Sequence, residues 1–279
     1  MPETTTSYSN SQGIQLLERA VAAFGPIFTL EQILSLPEHQ PLTSQQVRKR
    51  ISLLARSGWI EILKRGTYAV KSPLYSGDIP PFAIAQALVN PAAISHWSAL
   101  AYHGFSTQNP LMIQASTPVK VVTPEMRQGQ AYRPRGRASW RAFDLEFEFI
   151  YVKKERFWGF EKQWVNAWTQ VNITDRERTV LDLIARPDLF GGIRAASELL
   201  EGALSQINLN QLVAYALRYD VGAVIKRLGW LLERMGVDVS LLFPLRAYPV
   251  TGIVLLDPNQ PRSDQLDPSW QINQNMQRP

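Results

Sequence analysis

Asp144, Glu146 and Glu148 occupy every second position of a stretch that runs on to Lys153. Carboxylates grouped with a lysine are what a metal-dependent nuclease would use to hold a cation beside a phosphate. The spacing argues against that chemistry. Such a site wants one acid, then an acid and a lysine separated by a single residue. Here Leu145, Phe147 and Phe149 interleave with the acids, and an amphipathic strand with one acidic, solvated face accounts for all three. His96 and His103 stand seven apart, two turns along one helical face, and the remaining histidine is the distant His39. Without further ligands beside them they read, with Trp97, as packing residues rather than a metal site. The chain has no cysteine, which removes thiolate ligands, disulfides and a cysteine nucleophile together. It shows no glycine-rich phosphate loop and no serine nucleophile elbow. The sequence therefore reads as non-enzymatic, with no catalytic residue, metal or cofactor.

Cationic chemistry is concentrated instead. Between Thr43 and Gly66 there are six Lys/Arg and one acid. Turned at about 100° per residue, this stretch gathers Val47, Ile51, Leu53 and Leu54 on one arc. Gln45, Arg48, Lys49, Ser52 and Arg56 fall on the opposite arc. With Gln46 and the turn residues Lys64 and Arg65, these are the candidate DNA contacts. Gln and Arg can read adenine and guanine edges bidentately, and Lys and Arg meet phosphates. Arg50 falls near the apolar arc and is not counted. A second cluster, Arg127, Arg133, Arg135, Arg137 and Arg141, is interleaved with Tyr132 and Trp140 and has no acid from Met126 to Phe143. It could follow a phosphate backbone and stack on bases, or be a solvated loop and strand edge.

The elements that must position these residues are legible. Ile14, Leu17, Val21 and Phe24 form one helical stripe closed by Gly25-Pro26. Thr29-Leu30-Glu31-Gln32 and Thr43-Ser44-Gln45-Gln46 are capping boxes opening a second and third helix. Trp59–Leu63 and Thr67–Val70 read as two strands around a Lys64-Arg65-Gly66 turn. Three helices and a hairpin in about 60 residues predict a winged helix-turn-helix over 13–70. Residues 1–12 read as frayed and 71–81 as a linker. Residues 82–273 mix strands and helices, giving an α+β chain: an N-terminal winged helix-turn-helix and a mixed α/β C-terminal domain. The 279 residues, 45% hydrophobic, suffice for two cores. The polar start and the lack of a long apolar run lead us to expect a cytoplasmic chain with no membrane partner. A net charge of +5 fits an anionic partner.

The string Ala93-Ile94-Ser95-His96-Trp97-Ser98-Ala99-Leu100-Ala101-Tyr102-His103-Gly104 resembles a segment of the AbiEi family of antitoxins and transcriptional regulators of bacterial abortive-infection (type IV toxin–antitoxin) systems. Arg178–Leu183, Gly191-Gly192, Lys226–Glu233, Leu256-Asp257-Pro258 and Trp270–Asn273 look similar in the same order, as does the Arg65-Gly66-Thr67-Tyr68 wing. The resemblance spans roughly 13 to 273. It implies a repressor that binds inverted repeats in its own promoter, on double-stranded DNA, and whose C-terminal domain serves to neutralise a functional partner toxin of nucleotidyltransferase type. With no long heptad run to dimerise it, the chain is expected to be a monomer in solution that pairs on DNA. The rival reading makes the winged helix a protein-interaction module, with nuclease-like activity in the C-terminal domain. Trp270 and Ile272, two apart in a polar tail, are expected to dock, leaving only Gln274 onward loose.

Overall fold

A computed structural model of the chain describes residues 3–37, 42–71, 75, 77–108, 110–129 and 136–276, with side chains from Gln12 onward. Helix α1 (Glu3–Phe24) starts well inside the segment expected to fray. Extending an already packed helix costs less than nucleating one, so polar residues can continue it. Gly25, at φ +81°, ends α1 and leads into strand β1 (Ile27–Thr29). Thr29 caps α2 (Leu30–Leu34) and Thr43 caps α3 (Ser44–Arg56), each through both halves of the capping box. Strands β2 (Ile60–Lys64) and β3 (Thr67–Val70) follow, and the antiparallel order is β1-β3-β2. Val47, Ile51 and Leu54 share one face of α3 and are buried with Leu17, Phe28 and Ile60. Each such side chain contributes about 1.5–3 kcal/mol by leaving water.

The chain continues through α4 (Pro81–Leu88), β4 (Ala93–Ile94), α5 (His96–Tyr102), β5 (Ile113–Thr117) and α6 (Pro124–Arg127). Next come β6 (Arg137–Ala142), β7 (Leu145–Tyr151), β8 (Phe160–Trp164), β9 (Gln170–Thr174), α7 (Arg176–Ala185) and α8 (Ile193–Ala203). The last elements are α9 (Leu209–Tyr219), α10 (Gly222–Arg234), α11 (Val239–Ala247), β10 (Val254–Leu255), β11 (Leu266–Asp267) and β12 (Ile272–Asn273). The architecture is mixed α+β. One sheet has the order β6-β7-β5-β4-β9-β8, and a small one has the order β10-β12-β11. Two compact units emerge: residues 1–93, 115–151 and 162–172 in one, and 94–114, 152–161 and 173–279 in the other. Segments 115–151 and 162–172 thus group with the amino-terminal elements, a non-local grouping that no linker composition announces.

Local contacts set the ends of the later elements. The cap of α7 is Asp175, whose carboxylate accepts from Arg178 N at 2.7 Å, while Thr174 Oγ1 lies 2.8 Å from Thr179 Oγ1. Helix α11 carries Pro244 in its interior. The C-terminal order extends beyond Ile272. Gln274 N donates to Gln265 O, and Asn275 is buried with its amide group bonded to Asp257 N, Asp257 O and Gln260 O, so these two residues are held rather than loose. Among the described residues no helix is long and apolar enough to cross a membrane.

Candidate nucleic-acid interface

Helix α3 presents Gln45, Gln46, Arg48, Lys49, Ser52 and Arg56 to solvent. Gln46 is partly committed: its Oε1 accepts from Thr43 N at 2.8 Å, which leaves the amide nitrogen to donate outward. Arg48, Lys49 and Arg65 make no ion pair or side-chain hydrogen bond among the described residues. Arg56 Nε reaches the Ser52 carbonyl at 3.4 Å. Arg48 is near enough to Tyr68 on β3 to hold that phenol's pKa down, against the larger upward push of burial. Arg50, left out of the candidates, donates to Gln12 Oε1 at 2.8 Å and so ties α3 to α1.

The one acid in this stretch does not neutralise the face. Glu61 accepts from Phe143 N at 2.7 Å and pairs with Lys71 at 3.4 Å. The turn between β2 and β3 is two residues long, with Lys64 opposite Thr67 and Gly66 at φ +78°. Arg65 is exposed there. Lys64, the other turn candidate, is half-buried and donates to the Leu88 carbonyl at 3.0 Å. Burial holds its pKa below the ordinary lysine range.

In the second cluster, Arg133 and Arg135 lie outside the described residues. Arg127 ends α6, exposed. Arg137 and Arg141 lie on β6, and the antiparallel ladder sets β7 acids beside them. Arg137 pairs with Glu148 at 3.2 Å and Arg141 with Glu146 at 2.5 Å. The absence of acids from Met126 to Phe143 therefore overstated this cluster's free charge. The same pairing revises the acidic strand face, because Glu148 is buried rather than solvated. Asp144 lies in the hairpin turn, where it and Phe143 both have positive φ. Among the described residues no three His, Asp or Glu gather as a metal-binding set.

The strings that carry the resemblance from Ile94 onward lie inside the second unit. His96 is 1% exposed, stacks on Phe190 at 5.8 Å, and has Ser95 Oγ 2.8 Å from Nδ1. Burial lowers its pKa to about 4. Trp97 Nε1 donates to Leu189 O, and His103 Nε2 lies 2.7 Å from Thr174 O. Arg178, buried, pairs with Asp182 at 3.0 Å and donates to the Arg156 and Trp158 carbonyls. Along α10, Lys226 Nζ donates to Arg246 O, Arg227 to Leu255 O and Trp230 to Asp267, while Glu233 accepts from Trp270 Nε1. Trp270 and Ile272 are fully buried, as their spacing predicts.

No protein-family model matches the chain, and no curated protein matches it. Among solved structures, the RV2827C protein from Mycobacterium tuberculosis is similar over 94% of this chain and 90% of its own, with a TM-score of 0.58 and 16% sequence identity. At that identity, the likeness is one of fold.

Proposed function

We propose that residues 13–70 are a winged helix-turn-helix that binds double-stranded DNA, with α3 in the major groove and the Arg65 turn on the flanking backbone. The observation that carries this reading is the outer face of α3. Gln45, Arg48, Lys49 and Ser52 are exposed on one arc, and the single acid between Thr43 and Gly66, Glu61, is occupied by Lys71 and the Phe143 amide. Two donors able to read base edges and unpaired cations suit sequence recognition together with phosphate attraction. The order of helices, with a β1-β3-β2 sheet and a two-residue turn, supports the same reading.

The chain is, on this proposal, a non-enzymatic, cytoplasmic repressor of the AbiEi antitoxin kind. It binds inverted repeats in its own promoter and counters a nucleotidyltransferase-type toxin. The test is a mobility shift on the chain's own upstream DNA at stepped salt, beside a scrambled duplex, with Mg2+ added in a parallel arm. A sequence-specific, salt-sensitive shift supports the repressor. Cleavage that needs the metal supports the nuclease rival, and no shift on either duplex removes DNA from the function. Co-expression with a neighbouring nucleotidyltransferase tests the antitoxin half separately: relief of growth arrest is expected.

A further inference from the structure

Strand β2 departs from the two-residue alternation of a regular strand. Its register against β3 shifts between Ile62 and Lys64. Ile60 and Leu63, three apart, are both buried, while Ile62 is 55% exposed. A bulge re-aims the side chains around it. Here the re-aimed residue is Lys64, whose ammonium reaches the carbonyl of Leu88, the last residue of α4. The end of a helix, with carbonyls left over and the negative end of its dipole, favours a cation. Glu61, on the same strand, is fixed by the Phe143 amide. On the other side of the turn, Gly66 O accepts from Leu30 N at 2.9 Å. The two-residue turn is thus held from both flanks, and Arg65 stands exposed between the anchors.

We propose that Lys64 is a positioning residue: anchored on Leu88, it fixes the wing turn so that Arg65 meets the DNA backbone, and it does not touch DNA itself. This rests on the DNA-binding reading above. A turn held in its bound geometry loses less conformational freedom on binding, so the anchor raises affinity without adding a contact. A phosphate contact behaves differently, because each one releases counterions and adds about 0.9 to the salt slope.

The test uses the full chain and has two arms. In the first, affinity for the upstream duplex is measured across salt for the wild type and for Arg65→Ala, Lys64→Met and Lys64→Arg. Arg65→Ala should lower the slope by about 0.9. Lys64→Met, which keeps the aliphatic stem and drops the donor, should weaken binding about tenfold with the slope unchanged. Lys64→Arg should recover part of the loss. In the second arm, amide exchange of Gly66 and Thr67 is measured without DNA, and Lys64→Met should accelerate it while leaving α1 and α3 as protected as in the wild type. A slope that falls in Lys64→Met as in Arg65→Ala makes Lys64 a phosphate contact and overturns the proposal while the DNA reading stands. Unchanged exchange at the turn overturns it whether or not DNA binds. A wild type that binds no DNA ends both readings.

Discussion

Replacing Gly229 by alanine tests the C-terminal dock in a way that separates local propensity from packing. Glycine inside a helix is about 1 kcal/mol worse than alanine, so on propensity alone Gly229→Ala should stabilise α10. The structure predicts the opposite sign. A Cβ built on Gly229 lies 2.2 Å from Trp270 Cζ3 and 2.3 Å from Cη2, over an ångström inside carbon contact distance. Trp270 has little room to yield, being fully buried, bonded through Nε1 to Glu233 and covered by the Arg246 guanidinium 5.0 Å from its ring. Overpacking costs about 1–3 kcal/mol where a side chain can shift, and losing a buried aromatic costs about 3–5. With so large an overlap the indole should leave. After the propensity gain, the net loss is about 2–4 kcal/mol. Urea unfolding and amide exchange across residues 267–275 should report it, with exchange rising first in that segment. In a Trp270→Ala background the clash is gone, and the same Gly229→Ala change should stabilise by about 1 kcal/mol. If the sign does not reverse between the two backgrounds, or Gly229→Ala alone stabilises, the packing argument is wrong.

Three further outcomes follow from the geometry. Arg48→Ala should weaken binding to the upstream DNA by about 1–3 kcal/mol more than binding to random duplex; equal losses on both would make Arg48 a backbone contact. The unfolded chain takes up a proton at His96 near pH 6.5, but the buried ring resists until about 4. Its contribution, about 3 kcal/mol, is therefore complete above pH 6.5 and lost as pH falls toward 4. His96→Asn tolerates the φ of +53° and should flatten that part of the stability–pH curve, as urea titrations at stepped pH would record. Arg178→Met strands the Asp182 carboxylate, which already has one unpartnered buried oxygen, and should cost about 3–5 kcal/mol in urea unfolding.

Where a signal was local, the sequence carried it. Both capping boxes, the apolar arc of α3 and the burial of Trp270 and Ile272 follow from neighbours within four residues. The losses are non-local. The acids facing Arg137 and Arg141 come from the next strand, and a charge count along the chain does not see across a ladder. Strands β8 and β9 went unread. In β8 Phe160, Glu161, Lys162, Gln163 and Trp164 show no clean alternation, and only Phe160 and Gln163 are partly buried, the other three being exposed. Strand β2 shows the limit most clearly. Trp59-Ile60-Glu61-Ile62-Leu63 reads as a strand under any register, but a regular one would bury Ile60 with Ile62. The bulge buries Leu63 instead, and Lys64, which a regular strand would place on the face of Ile60 and Ile62, reaches the Leu88 carbonyl.

The division of labour among side chains bears on how such a protein would change its target. Many residues in the resembling strings after Ala93 are committed to the fold: His96 to Phe190 stacking, Arg178 to Asp182, Gly229 to the Trp270 ring, Trp230 to Asp267. Gln45, Arg48, Lys49 and Ser52 belong to none of those strings and are exposed. Exposed substitutions away from caps and pairs cost within about 0.5 kcal/mol, whereas changes at the committed positions cost several. Thr43 and Gln46 are the exceptions on α3, since they close its capping box and hold the helix start. On the DNA-binding proposal, recognition can thus vary at four positions while the fold is held elsewhere. Substituting all four together should abolish recognition of the upstream DNA yet leave the urea midpoint near that of the wild type. A large fall in that midpoint would show that the reading face is also part of the scaffold.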